Sequence, residues 1–399
     1  MKIGFLLYDY FPFGGLERDC LRIAELCATR GHDVSIFTRS WQGERPANLT
    51  VRTFGRKGLT NTARNRHWLK QLTTTLPAEQ FDCIVGFNKL PGLDVYYSAD
   101  LCFAAKLSTK PFWYRWLPRS RQLLAHERSV FDRDLKTEIL LLAGHDLATY
   151  QDFYGTPADR FQLLPPNARV RNISSDQLVS ARRRIRQANN WSLNDHLLLF
   201  VGSSFHRKGL DRAIRGLAAL DETIRNKTRL AVLGQDKPEE FARLAKDLKV
   251  GDRVHFLRGR SDAPEWMLAS DVLVHPARHE NTGTVIVEAL ASGLPVLVTE
   301  ISGYAVHVKQ ADAGIVLPGP FSQGEFNRIL PTALDPARAS QWRANATTYA
   351  ATGAIFGCHE RAAEIIEAIA MRSLKAPMIS LDVPSETQEK PLPLRTSNG

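Results

Sequence analysis

The strongest constraint on the fold is an alternation of short apolar runs with amphipathic stretches, which occurs twice along the chain. In the first half, the runs KIGFLLY, HDVSIFT, FDCIVGF and TEILLLAG are apolar, and LERDCLRIAELCATRG has the period of a helix. The alternation resumes near residue 196 with HLLLFVG, DRAIRGLAAL, TRLAVLG, PEEFARLAKDLKV, DVLVHPA and TVIVEALASG. Such alternation predicts parallel sheets covered by helices on both faces. We therefore expect an α/β protein with two doubly wound, Rossmann-like domains.

The length of 399 residues suits two domains better than one core. Pro165 and Pro166 disfavour helix and mark the crossing between the domains. The end of the chain is rich in Pro, Ser, Glu and Lys and has no apolar pattern, which predicts disorder. We predict an N-terminal domain, a C-terminal domain, a last helix that packs back towards the first domain, and a disordered tail, at residues 1–165, 166–355, 356–372 and 373–399.

The formal net charge of +10 indicates an anionic partner, which could be nucleic acid, anionic lipid or a phosphorylated substrate. No run approaches the ~20 apolar residues of a membrane span. The start, MKIGFLLYDYFPFGG, is better explained as a buried strand than as a signal peptide, so we expect a cytoplasmic protein. The five cysteines are scattered and show no CxxC spacing, which predicts reduced core residues.

The first candidate ligand motif is FPFGGLERD, between the first strand and the first helix. Gly14 and Gly15 let a ligand approach the backbone, and the N-terminus of the following helix suits a phosphate. The alternative is a simple Gly-Gly turn. Neither half carries GxGxxG, which argues against an NAD-dependent oxidoreductase.

The second motif is FVGSSFHRKGLDRAI. Gly202 ends a strand, a short loop is expected to present Arg207 and Lys208, and Gly209 opens a helix. Two cations at the carboxyl end of a strand can neutralise a diphosphate as it leaves. The alternative is a pair of cations that face solvent.

The third motif, HENTGTVIVEALASGLPV, is the most specific. Thr282, Gly283 and Thr284 begin a helix and leave backbone N–H groups free for phosphate oxygens. Glu280 can accept hydrogen bonds from sugar hydroxyls, and Glu288 from a ribose diol. The alternative is a capping acid and an ordinary helix acid, although Glu288 lies in an apolar run where an unpaired carboxylate is costly.

Together, the Glu-x7-Glu spacing with AxxxGLPV, the RKG after a strand and the FGG turn resemble the retaining glycosyltransferases of the GT-B fold. The runs YFPFGGLERD, GFNKLPGLDVYYSAD and VGSSFHRKGLDRAI are similar to those of members that build the lipopolysaccharide inner core, over about residues 1–370. The resemblance implies two Rossmann-like domains facing a central cleft. It also implies a UDP-sugar co-substrate without a further cofactor, and no metal ion, in keeping with the lack of an Asp-x-Asp motif at a strand end.

The same resemblance implies roles for individual residues. Arg207 and Lys208 would hold the donor diphosphate, and Glu280 would hold the transferred hexose. Glu288 would hold the ribose, and Arg260 would flank uracil unless it is an ordinary surface arginine. The implied donor site also contains Gly14, Gly15, Asn281, Thr282, Gly283 and Thr284.

On the acceptor side, the resemblance implies Asp19 and Asp100, although either could instead cap a helix. The family has a glycine after the proline pair and then an arginine, whereas this chain has Asn167 with Arg169 and Arg171, and the sequence leaves open which arginine, if either, faces the cleft. Asn281 and Thr282 stand where related glucosyltransferases have small apolar residues. The donor sugar is therefore expected to be glucose, or N-acetylgalactosamine or another 2-amino hexose.

Residues 103–131 interleave aromatic and basic side chains, which suits the headgroup region of an anionic leaflet. The alternative is a set of core aromatics with a solvated basic face. No nucleic-acid-binding motif accompanies the segment, so no nucleic-acid partner is expected. The predicted membrane residues are Lys106, Lys110, Trp113, Arg115, Trp116, Arg119 and Arg121.

The resemblance thus implies transfer of a hexose to heptose of the lipopolysaccharide inner core, at the cytoplasmic face of the inner membrane. Two alternatives stay open. One is a GT-B nucleotide-sugar epimerase, which would need no lipid acceptor. The other is a peripheral membrane protein with a vestigial nucleotide site.

Overall fold

A computed structural model describes residues 1–12, 14–168 and 174–373, which form two compact units. Unit 1 contains Met1–Leu164 and the chain from Cys358, and unit 2 contains Pro165–Gly357. The first crossing therefore lies at the proline pair. Arg169, Arg171 and nearly all of the predicted tail lie outside the described residues.

Each unit is built on a parallel sheet whose central strands are continuous apolar runs, as expected for strands buried on both faces. The strands of unit 1 are β1 (Lys2–Leu6), β2 (Asp9–Tyr10), β3 (Asp33–Thr38), β4 (Ser40–Trp41), β5 (Thr50–Thr53), β6 (Cys83–Gly86), β7 (Val95–Ser98), β8 (Glu138–Leu141) and β9 (Phe161–Leu163). Those of unit 2 are β10 (His196–Val201), β11 (Thr228–Leu233), β12 (Val254–Phe256), β13 (Val272–His275), β14 (Val296–Thr299) and β15 (Gly314–Leu317).

Helices connect these strands and cover the sheets. In chain order they are α1 (Gly15–Thr29), α2 (Asn61–Glu79), α3 (Phe103–Ser108), α4 (Pro118–Phe131), α5 (His145–Tyr154), α6 (Ser175–Ala188), α7 (Phe205–Lys208), α8 (Leu210–Ala218), α9 (Glu222–Asn226), α10 (Glu239–Asp247), α11 (Ala263–Ala269), α12 (Thr284–Ala291), α13 (Ala305–Ala311), α14 (Gln323–Ala333), α15 (Pro336–Ala351) and α16 (Cys358–Ser373). None of these described helices is long and apolar enough to cross a membrane.

The strand order confirms the predicted fold class. The seven-stranded sheet of unit 1 has the order β5-β3-β1-β6-β7-β8-β9, and the six-stranded sheet of unit 2 has the order β12-β11-β10-β13-β14-β15. The order reverses between β1 and β6 in the first sheet and between β10 and β13 in the second. In doubly wound sheets, ligands bind beyond the carboxyl ends of the strands at such a reversal.

The last helix, α16, packs on α1 within the core of unit 1. One row of its buried side chains recurs every fourth residue, at Cys358, Ala362, Ile366 and Ala370. At its edge, Glu367 accepts hydrogen bonds from Arg30 at 3.0 Å and His32 at 3.1 Å. Unit 1 is therefore built from segments at both ends of the sequence.

Glu127 on α4 is fully buried and fixes the start of α3. It accepts the backbone N–H groups of Phe103 at 2.7 Å and Ala104 at 2.8 Å, and the hydroxyl of Tyr154 at 2.7 Å. The ammonium of Lys89 forms an ion pair with it. The aromatic and basic segment between α3 and α4 is thus anchored by one carboxylate.

We predict that Glu127→Ala destabilises the fold by about 3–5 kcal/mol, because it leaves the buried Lys89 charge uncompensated. The free energy of unfolding in urea measures this. The matched control is Glu364→Ala, since Glu364 is 52% exposed and pairs with Arg361, which is 53% exposed, so a change within about 0.5 kcal/mol is expected. Equal losses in the two variants would contradict the anchoring role.

Candidate functional site

The basic pair of unit 2 lies in a helical turn, and the prediction that a loop presents it was wrong. After β10, residues Phe205–Lys208 form the single turn α7, in which the N–H of Lys208 donates to the carbonyl of Ser204 at 3.0 Å. The turn ends at Gly209, whose φ of +79° lies in the left-handed region. A Cβ there would stand 2.0 Å from the carbonyl oxygen of Pro276, so only glycine fits.

A second glycine makes room for the Lys208 side chain. Gly202 has a φ of +130°, and a Cβ there would lie 2.7 Å from the Lys208 methylene carbons. Lys208 consequently folds back over the end of β10 and is only 13% exposed. Its ammonium is held at the strand end and does not extend into solvent.

Glu280 joins the two predicted cations. Its Oε2 accepts from the Lys208 Nζ at 2.8 Å, and its Oε1 accepts from the Arg207 guanidinium at 3.2 Å. Arg207 also donates to the carbonyl of His279 at 2.9 Å, and the N–H of Arg278 donates back to the carbonyl of Arg207 at 2.8 Å. The loops after β10 and β13 therefore meet at the strand reversal of unit 2.

His275, at the end of β13, is a fully buried neighbour of this cluster that the sequence analysis missed. Its Nε2 lies 3.5 Å from the Glu280 Oε2. Burial lowers the pKa of His275, so the ring is neutral at physiological pH. In the sequence, His275 is one residue of the apolar run DVLVHPA, and no characteristic spacing distinguishes it as a site residue.

The protonation state of Glu280 follows from these neighbours. Burial opposes ionisation, but the His275 ring and the Lys208 ammonium outweigh it and hold the pKa of Glu280 far below its usual range. The group is therefore a carboxylate throughout the neutral range. A carboxylate with so low a pKa is a poor proton acceptor and a good hydrogen-bond acceptor.

The start of α12 lies next to Glu280. Gly283 has a φ of +79° and caps the helix, which begins at Thr284, so the placement of Gly283 inside the helix was wrong. The backbone before it is fixed because Gly303 donates to the carbonyl of Asn281 at 3.0 Å and Tyr304 to that of Thr282 at 2.8 Å. This leaves the first N–H groups of an eight-residue helix without intrahelical acceptors.

Two other predicted donor residues lie in unit 2. Glu288 is half-buried in the second turn of α12. Arg260 makes a bidentate ion pair with Asp262, with both distances 2.7 Å. Nearby, a cavity of about 560 Å³ at the ends of β11 and β12 is lined by Gly234, Asp236, Lys237, Arg258 and Gly259 among others. Its volume is within the range of small-molecule sites.

Unit 1 holds the remaining predicted site residues. Asp19 on α1 accepts from the Tyr97 hydroxyl at 3.0 Å and lies 2.8 Å from the His359 Nε2 on α16. Asp100 is exposed just after β7, and its carbonyl accepts from the Tyr150 hydroxyl at 2.9 Å. Gly14 caps α1, and the space around the Cα of Gly15 is open.

The aromatic segment between α3 and α4 faces solvent. Phe112, Trp113 and Trp116 are 79%, 51% and 63% exposed. The alternative of core aromatics is therefore wrong for these three side chains. The predicted basic residues of the segment are exposed as well, apart from the half-buried Arg115.

Among residues 1–12, 14–168 and 174–373, no group of three or more His, Cys, Asp or Glu side chains is placed to hold a metal ion. Metal independence itself stays a prediction. Positive charge at the unit 2 site comes from Arg207 and Lys208.

Comparisons with known proteins agree with this geometry. Residues 181–349 match the family model of Glycosyl transferases group 1. The chain is 43% identical over 369 residues to lipopolysaccharide glucosyltransferase WaaG of Escherichia coli (strain K12), covering 92% of this chain and 98% of that protein. It is 24% identical to a D-inositol 3-phosphate glycosyltransferase of Stackebrandtia nassauensis, over 85% of this chain and 83% of the relative.

Two solved structures are also similar to this chain. A crystal structure of WaaG, a glycosyltransferase involved in lipopolysaccharide biosynthesis, superposes with a TM-score of 0.81 at 42% identity, covering 91% of this chain and 99% of that one. Anabaena Alr3699/HepE in complex with UDP and glucose gives a TM-score of 0.69 at 18% identity, covering 92% and 100%. The second likeness concerns the fold alone.

We predict that His275→Leu lowers kcat/KM for the sugar donor about tenfold, because Glu280 loses the buried polar ring that lies 3.5 Å from its Oε2. His275→Gln, which keeps a side-chain donor, should recover part of the loss. Circular dichroism checks that both variants are folded. An unchanged kcat/KM in folded His275→Leu would show that the ring only fills space.

Proposed function

The chain belongs to the group 1 glycosyl transferases, enzymes of the GT-B fold, and we propose that it moves a hexose from a UDP-sugar to a heptose of the lipopolysaccharide inner core, with retention of configuration. The observation that carries the proposal is the convergence of Arg207, Lys208 and Glu280 at the strand reversal of unit 2. The 43% identity to a lipopolysaccharide glucosyltransferase supports the choice of acceptor.

The donor would bind by exchanging partners within this cluster. Its diphosphate oxygens take the N–H groups of Arg207 and Lys208 and those at the start of α12. Glu280 accepts hydrogen bonds from the hexose hydroxyls. Glu288 accepts from the ribose, and the cavity beside Arg258, two residues before Arg260, takes the uracil.

In the chemical step, the bond between the anomeric carbon and the diphosphate oxygen breaks while the acceptor hydroxyl attacks from the same face. The hydroxyl proton passes to the leaving diphosphate. Negative charge grows on that diphosphate, and Lys208 and Arg207 are already in place to stabilise it. Glu280 is too weak a base to take the proton, so its role is to position the sugar.

No metal ion is needed for this scheme, because two side-chain cations and a helix N-terminus supply the charge stabilisation. A UDP-sugar is the only co-substrate. Turnover in excess EDTA should therefore equal turnover in added Mg²⁺.

The choice of sugar depends on the side chains next to Glu280. Asn281 and Thr282 add hydrogen-bonding groups directly after Glu280, and such groups suit a 2-acetamido substituent. Glucose is the donor favoured by the similarity to WaaG. N-acetylgalactosamine is the alternative that these two polar residues favour.

The acceptor is a glycolipid, so the enzyme would work at the cytoplasmic face of the inner membrane. The exposed rings of Trp113 and Trp116, flanked by Lys110 and Arg119, support binding to an anionic leaflet. Aromatic side chains enter the interface and cations contact the phosphates. No role for nucleic acid is proposed.

The proposal is tested with a panel of UDP-hexoses and a truncated, heptose-terminated lipid core. We expect transfer from UDP-glucose or UDP-N-acetylgalactosamine, with a product linkage of the donor's anomeric configuration by NMR. Incubation with the donor alone serves as the control. Epimerised sugar in that control would favour an epimerase, and no binding of UDP by calorimetry would favour a vestigial site.

A further inference from the structure

A second basic surface on unit 1 has no role in the function proposed above. From position 45 to position 70 the sequence contains seven lysine and arginine residues and no aspartate or glutamate. Part of this charge is neutralised by residues elsewhere in unit 1, since Arg52 pairs with Glu79 and Arg56 with Asp9. The seven cations are Arg45, Arg52, Arg56, Lys57, Arg64, Arg66 and Lys70.

The tip of this surface is the loop of residues 55–60, with the sequence GRKGLT. It turns at Gly55 and Gly58, whose φ values are +79° and +127°. Leu59 is 99% exposed, more than any other large apolar side chain of the described residues. Lys57, two positions before it, is exposed as well.

The loop has a fixed shape. The Arg64 guanidinium donates to the carbonyl of Gly58 at 2.9 Å and to the side chain of Asn61 at 3.3 Å. Thr60 caps α2 by accepting the N–H of Ala63 at 3.2 Å. Leu59 is therefore held out in solvent by a structured turn.

The helix that follows this loop, α2, contacts the helix that follows the aromatic and basic segment, α4. The Gln122 side chain on α4 donates to the carbonyl of Thr62 on α2 at 3.0 Å. α4 begins at Pro118, two residues after the exposed ring of Trp116. The two basic regions are thus linked through a direct contact between α2 and α4.

An isolated exposed leucine is common on protein surfaces and needs no explanation. An apolar tip beside exposed cations such as Lys57 and Arg66 is different, because an anionic leaflet presents an apolar interior behind a layer of phosphates. An apolar side chain gains by entering the acyl boundary, while lysine and arginine gain by contact with the phosphates.

We propose that residues 55–60 form a second membrane contact, in which Leu59 inserts into an anionic leaflet while Lys57 and Arg66 bind its headgroups. The inference rests on the proposed function, because a glycolipid acceptor is what requires the enzyme at the membrane. With two contacts on one unit, the enzyme would sit in a defined orientation and would not pivot about the tryptophans.

The direct test places an environment-sensitive fluorophore at Leu59→Cys. All five native cysteines are buried, so labelling is selective. We expect a blue-shifted emission, quenched by lipid-borne quenchers, with phosphatidylglycerol vesicles and not with phosphatidylcholine vesicles. The control is the same label at Leu193→Cys in unit 2, where Leu193 is 49% exposed and no change is expected. Unchanged emission at position 59 on vesicles that the protein binds would overturn the inference.

Affinity gives a second measurement. The double variant Leu59→Ser, Lys57→Gln should bind phosphatidylglycerol vesicles about tenfold or more weakly, and the unit 2 control Leu193→Ser, Lys227→Gln should bind like the parent. Transfer to a detergent-dispersed acceptor should be unchanged in both, which separates this inference from the proposed function. Parent-like vesicle binding by the first variant overturns the second contact alone. Absence of transfer by the parent overturns the function.

Discussion

The ion pair between Lys208 and Glu280 is the interaction on which the unit 2 site depends. Both side chains are nearly buried, so each would be costly to desolvate alone. Three neighbouring residues make room for this ion pair or contact it. Gly202 leaves space for the lysine stem, and Gly209 ends the turn that carries it. The Nε2 of the buried His275 ring lies 3.5 Å from the Glu280 Oε2.

Under the proposed function, the pair would also prepare the site for an anionic donor without a metal ion. In the structure, Glu280 pairs with both Lys208 and Arg207, which holds the two cations in position and leaves the cluster with a net positive charge. A bound diphosphate would take over this pairing and free Glu280 for the hydroxyls of the sugar. Groups placed in advance need no reorganisation when charge develops, which is the main source of electrostatic catalysis.

The fold was predictable because parallel strands buried on both faces leave long apolar runs in the sequence, and the proline pair marks the first crossing. That Arg207, Lys208 and Glu280 follow strand ends was predictable, because each comes shortly after an apolar run of the sequence. Other details depend on contacts between distant segments. The helical turn at Lys208 depends on how closely Gly209 approaches Pro276. His275 was missed because a buried ring in an apolar strand produces no recognisable pattern in the sequence. Leu59 was missed because local sequence does not determine how a loop tip projects.

The central claim is that Lys208 stabilises the leaving diphosphate in place of a metal ion, and turnover of Lys208→Ala in the presence of EDTA tests it most directly. Loss of one preorganised electrostatic donor should lower kcat about 10²- to 10³-fold. The control Lys227→Ala, in an exposed part of unit 2, should leave kcat unchanged. Near-normal turnover of Lys208→Ala, or loss of turnover of the parent enzyme in EDTA, would contradict the claim.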